Sequence, residues 1–92
     1  MIRSFQHKGL RLFYETGSHR GINPSHVRRV ARILSFLDRA TEPDDLNIPG
    51  WRLHGLSGKR EGFWSLTVSG NWRIIFRFID NDVELVDYLD YH

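Results

Sequence analysis

The hydrophobic period of this chain changes once, and that change limits the folds open to it. Val27, Val30, Leu34 and Leu37 recur at three- and four-residue spacing, the mark of one buried helix face. From Phe63 onward the apolar residues alternate instead. Trp64, Leu66 and Val68 share one side; then Trp72, Ile74, Phe76 and Phe78 do the same, with Arg73 and Arg77 opposite. A helical half followed by a sheet half within 92 residues is one domain, residues 1–92, because a chain of this size supports a single core. No internal repeat or low-complexity segment interrupts it.

Local signals set the expected boundaries. Asn23-Pro24 starts the long helix: Asn caps the first N–H groups and Pro is tolerated at the first helical position. The helix is expected over Pro24–Ala40, with Arg28, Arg32 and Arg39 on its outer side and a loop from Thr41 to Gly50. A shorter helix over Lys8–Thr16 carries Leu10, Phe13 and Tyr14 and stops at Gly17. Before it, Ile2–Phe5 reads as a short strand. Trp51–Leu56, Phe63–Ser69, Trp72–Ile79 and Val83–Tyr91 read as strands. Their turns are 57–62, Gly70-Asn71 and Asp80-Asn81-Asp82. The expected fold is α+β: strand, two helices, then an antiparallel meander of about four strands with the helices on one sheet face. The other face is left open, with Arg73 and Arg77 on it.

The net charge is only +2, but it is unevenly spread. Residues 1–77 hold all 13 Lys and Arg, of which 11 are Arg, with six acids. Residues 78–92 hold the other five acids and no Lys or Arg. The Arg-rich part points to an anionic partner, since the guanidinium fork matches phosphate and carboxylate; the competing reading is a solvated basic surface. With no Cys, disulfide scaffolds, thiol nucleophiles and thiolate-bound metals are excluded. No apolar run approaches transmembrane length, and no signal-peptide core is seen at the start, so no membrane is expected and a cytoplasmic location is.

Nothing in the chain resembles a phosphate loop, a zinc-protease motif or a nucleophile elbow. No cofactor or metal is expected. His7, His19 and His26 read as ordinary surface histidines. His54 lies in a strand near Arg52, Lys59 and Arg60, and Asp90-Tyr91-His92 closes the chain. Arg, His, Asp and Tyr suit metal-free RNA cleavage, in which the RNA supplies its own 2′-OH as nucleophile. The protein then needs a base, an acid and positive charge on the phosphate.

These residues also fall into an ordered set of short pieces. They are Met1 to Phe5, His7-Lys8-Gly9-Leu10, Leu37 to Glu42, Leu53 to Gly58, Arg60 to Leu66, Asn71-Trp72-Arg73-Ile74 and the Asp90-Tyr91-His92 end. In that order the sequence resembles the HigB-type toxins, the plasmid maintenance killer branch of the RelE/ParE superfamily. The resemblance spans essentially the whole chain. It implies a RelE-like fold and a ribosome-dependent mRNA endonuclease that enters the A site of the 70S ribosome. It implies a helix-turn-helix antitoxin of HigA type as partner, with operator DNA reached only through that antitoxin.

The same resemblance implies catalytic roles for His54, Arg73, Asp90, Tyr91 and His92. Arg73 would hold the phosphate, and His54 and His92 would share the acid and base roles in an order left open. Asp90 would orient a histidine or act as base, and Tyr91 would position the nucleotide. Arg28, Arg32, Arg39, Lys59, Arg60 and Arg77 would contact RNA or the ribosome. Ser57 stands where the family commonly has Lys, which implies a weaker toxin unless Lys59 or Arg60 supplies the charge. Two alternatives remain: a gyrase poison of ParE type, disfavoured by His54, Arg73 and the Asp-Tyr-His end, and a weak enzyme acting mainly through its antitoxin complex.

Overall fold

The computed structural model describes residues 1–91; His92 lies outside the described residues. Helix α1 is Lys8–Thr16 and helix α2 is Val27–Arg39. The sheet contains β1 (His54–Gly55), β2 (Trp64–Ser69), β3 (Trp72–Ile79) and β4 (Asp82–Asp90), antiparallel and in that order.

The helix ends follow from their own residues. His7 Nδ1 accepts the Leu10 N–H at 2.9 Å and caps α1, and Gly17 turns left-handed at φ 79° to end it. Asn23 Oδ1 accepts the Ser25 N–H, and Pro24–His26 forms one 3₁₀ turn before α2 begins. The long helix is therefore the expected one, entered through a tighter first turn. Its stripe of Val30, Ile33, Leu34 and Leu37 is buried against Leu66, Ile74, Phe76 and Val86 of the sheet. Each such side chain removed from water contributes about 1.5–3 kcal/mol.

Two expected strands are shorter than the alternation suggests. Ile2–Phe5 makes two isolated parallel bridges to β4, Ile2 to Val83 and Phe5 to Val86. The ladder cannot continue between them because β4 bulges there. Ile75 pairs with Asp87 but Arg77 pairs with Glu84, and Leu85 sits at φ 55° with its N–H donated to Ser4 Oγ. The segment Trp51–Leu56 contributes only His54–Gly55. Gly50 at φ 90° and Arg52 at φ 50° turn the chain, so that Trp51 drops its ring into the core against Phe36. The Trp51 carbonyl still accepts the Thr67 N–H of β2 at 2.7 Å.

Polar ties hold the helical layer to the chain start. Asp38 of α2 accepts the Ile2 N–H at 3.0 Å and the Tyr14 O–H at 2.7 Å. The phenol's hydrogen bond holds the Asp38 carboxyl below its ordinary value, and the same bond pushes Tyr14 up to about 12. The loop after α1 crosses it closely: a Cβ on Gly21 would stand 2.8 Å from Gly9 Cα. No helix is long and apolar enough to cross a membrane among the described residues.

Candidate active site

Register decides which side chains share the sheet face that the helices leave open. His54, Ser65, Ile75 and Asp87 stand in one row across β1 to β4. Thr67, Arg73 and Leu89 form the next row. His54 is thus two strands from Arg73 (about 10 Å) and two residues along the strand direction (about 7 Å). That separation lets a phosphate sit between an imidazole at the sheet edge and a guanidinium on β3. Core residues Leu66, Ile74 and Phe76 point the other way, into the helices.

Each side chain has a defined local setting. His54 is exposed, and its Nδ1 lies 3.1 Å from the Arg52 carbonyl oxygen. A carbonyl only accepts, so Nδ1 carries a hydrogen and the neutral ring presents Nε2 outward as a base. Arg73 is half-buried and donates through Nη1 to the Gly70 carbonyl and, at 3.2 Å, to that of Trp72. Both acceptors are neutral, so its positive charge remains uncompensated by them. Asp90 stands opposite Trp72 at the end of β4. Tyr91 follows it, with its N–H donated to Asn71 O at 2.8 Å and its ring exposed.

The basic residues divide into groups. Lys59 and Arg60 occupy the 3₁₀ turn Gly58–Arg60, and the Arg60 guanidinium lies 5.4 Å from the Tyr91 ring centroid. That turn is therefore brought to the Asp90-Tyr91 end. Ser57 is exposed just before it. Arg77 is committed elsewhere: its Nε donates to Glu84 at 2.6 Å and its guanidinium lies over Phe63. Arg28, Arg32 and Arg39 are exposed on α2, behind the opposite sheet face, and Arg32 and Arg39 both lie over Phe36 at 5.7 Å. They form a second surface, separate from the His54–Arg73 row.

Two further residues belong to this region but carry no sequence signal of their own. Thr67 faces Arg73 across the β2–β3 ladder, and its Oγ1 is buried without a hydrogen-bond partner among the described residues. Arg29, beside the exposed helix arginines, instead turns inward and donates to the carbonyls of Gly50 (2.7 Å) and Thr67 (3.3 Å). Only the three-dimensional register shows either. His26 is a correction. Expected at the surface, it is 5% exposed and its Nδ1 lies 2.7 Å from the Tyr88 hydroxyl, because the 3₁₀ turn before α2 tucks it under β4. Among the described residues no group of three or more His, Asp or Glu is arranged to hold a metal.

The arrangement places an imidazole nitrogen and a guanidinium on one sheet face, with a carboxylate-phenol pair at the adjoining end of β4. Comparisons with known proteins show the family of the chain. The family model described as the RelE-like toxin of the type II toxin–antitoxin system HigB matches residues 3–92. A Proteus vulgaris protein named endoribonuclease HigB is 48% identical over 92 residues, covering all of both chains. A Vibrio cholerae protein named toxin HigB-1 is 37% identical over 94 residues, covering all of this chain and 98% of that one. A chain of the YoeB–YefM complex from Staphylococcus aureus shares the fold at a TM-score of 0.64 and 17% identity, over all of this chain and 95% of that one. This chain therefore belongs to the HigB-like family, the RelE-like toxins of type II toxin–antitoxin systems.

Proposed function

We propose that this protein is a metal-independent endoribonuclease that cuts mRNA in the A site of the 70S ribosome and so stops translation. The observation that supports this best is that His54 and Arg73 share the open sheet face, with the Asp90-Tyr91 end of β4 adjoining at Trp72, the residue before Arg73. In the reaction the RNA 2′-OH attacks the adjacent phosphorus. The P–O5′ bond breaks, and a 2′,3′-cyclic phosphate and a 5′-hydroxyl result. One group takes the 2′-OH proton and another gives a proton to the departing O5′.

Arg73 holds the phosphate oxygens as charge builds on them. His54, through Nε2, and His92 divide the base and acid roles; Asp90 orients a histidine or serves as the base. Tyr91 stacks a nucleobase, with Arg60 beside its ring. Lys59 and Arg60 border this site, whereas Arg28, Arg32 and Arg39 meet ribosomal RNA on the helix side. The protein acts where ribosomes are, in the cytoplasm. Its antitoxin is a helix-turn-helix protein of HigA type that carries the pair to operator DNA.

The test is purified toxin with mRNA, with and without programmed ribosomes. Cleavage at the A-site codon only when ribosomes are present, leaving a 2′,3′-cyclic end, is expected. Equal cutting of naked RNA contradicts ribosome dependence. Growth arrest with intact mRNA and damaged DNA favours a gyrase poison, and no phenotype favours a purely regulatory complex.

A further inference from the structure

His26 is a buried titratable group with no part in the chemistry above, and its surroundings give it one. Its Nδ1 lies 2.7 Å from Tyr88 Oη, and the same phenol oxygen accepts the Asn23 N–H at 3.3 Å. The phenol proton needs an acceptor in this dry site, and Nδ1 at 2.7 Å lies within its reach; with Nδ1 accepting and Asn23 donating, both the O–H and a lone pair of Tyr88 are satisfied. Tyr88 is 3% exposed, so this is a polar contact inside the core. Such a contact costs more to break than it contributes when made, since both groups are left unpaired in a dry site.

The contact sits under the catalytic end of the sheet. The His26 ring meets the Trp72 ring at 5.6 Å, edge to face, and the Tyr88 ring lies 4.7 Å from Trp72. His7 closes the group, 5.3 Å from the Tyr88 ring. Trp72 precedes Arg73 in β3 and pairs with Asp90, and Tyr88 comes two residues before Asp90 in β4. Beyond that pair, Tyr91 is tied to β3's turn by its N–H to Asn71 O. One cluster beneath the sheet thus touches both strands at the points where they hand over Arg73 on one side and Asp90-Tyr91 on the other.

We propose that His26 is a positioning residue: through Tyr88 and Trp72 it ties the first turn of the long helix to the ends of β3 and β4 and sets Arg73 against Asp90-Tyr91. The role rests on the nuclease reading above. It matches what cleavage demands, because a displacement of about 1 Å in such a site costs on the order of 10² in rate. The His26 ring touches neither RNA nor the reacting atoms and acts only through these neighbours.

The test compares His26→Leu, His26→Asn and Tyr88→Phe. Asn places an amide oxygen where Nδ1 stands and so keeps an acceptor for the phenol. In single-turnover cleavage on programmed ribosomes, His26→Leu and Tyr88→Phe should lose about tenfold or more in rate at saturating ribosome, with half-saturation unchanged, and His26→Asn should recover most of it. Full rates in all three, or a loss in His26→Asn equal to that in His26→Leu, overturn the assignment. A second readout needs no RNA: amide exchange at Tyr91. Its acceleration in Tyr88→Phe, in protein whose α2 core amides stay protected, supports the tie from Tyr88 to the Asp90-Tyr91 end independently of whether the wild type cuts RNA. Unchanged exchange at Tyr91 overturns it. Loss of cleavage by the wild type itself counts against the nuclease reading alone.

Discussion

Leu66, Ile74, Phe76 and Val86 turn toward the helices and are fully or almost fully buried, while His54 and Tyr91, on the other side of the same sheet, stay exposed and Arg73 stays half-exposed. The first set is fixed by packing with Val30, Ile33, Leu34 and Leu37. The second is fixed by backbone register, two short turns and single hydrogen bonds such as His54 to the Arg52 carbonyl. The difference separates two tasks. A packed face resists change and supplies stability; on the face built on register, Ser65 and Ile75 are buried but His54 stays exposed and Arg73 partly so.

Changes on the two faces should therefore part stability from function. The largest effect expected on the packed side is Leu37→Ala, which opens a cavity in the buried stripe and should cost about 2–5 kcal/mol in denaturant unfolding. Cleavage per folded molecule should stay near wild type. Replacing Arg28, Arg32 and Arg39 together by Gln should weaken ribosome association and lower its salt slope by up to about 3, leaving the cleavage step on bound ribosomes unchanged. An unaltered slope removes the docking role and leaves a solvated helix face.

A smaller effect is expected from acid. Asp38 and Asp82 both titrate below their ordinary 3.8 in the folded chain, Asp38 through the Tyr14 hydroxyl and Asp82 through the chain-start ammonium and Arg3. Folding therefore holds them ionised to lower pH than unfolding does. Their contribution is present above about pH 4 and is lost as pH falls below it. Asp38→Asn should flatten the fall in melting temperature between pH 5 and pH 3, to be followed by thermal scans; an unchanged slope places the acid sensitivity elsewhere. The smallest change is Ser57→Lys, which should raise the cleavage rate a few-fold if the exposed turn lacks a phosphate-facing charge. No rise would mean that Lys59 and Arg60 suffice.

Sequence and structure agree most closely where one period governs many residues. Helix α2 announces itself through its repeated apolar stripe, and β2 and β3 through alternation around Gly70-Asn71. That the expected strand Trp51–Leu56 keeps only the two residues of β1 is not foreseeable, because the shortening depends on the left-handed backbone of Arg52, a residue with no turn preference. The bulge at Leu85 is equally silent, since a bulge shifts pairing without altering local pattern. In the site, residue identities were legible and their relations were not. Arg77 alternates with Arg73 on one face, yet only register brings Glu84 against it. His26 reads as an ordinary histidine because its partner hydroxyl is 62 residues away.

The central claim is that the open face cuts RNA while the packed face holds the fold, and Arg73→Ala tests it most directly. Single-turnover cleavage on programmed ribosomes should fall about 10²–10³-fold, with the melting temperature within a few degrees of wild type, since the half-exposed side chain donates to two backbone carbonyls of the adjoining turn and strand. Wild-type cleavage by this variant, or a loss of rate that merely follows a loss of folded protein, would contradict the account.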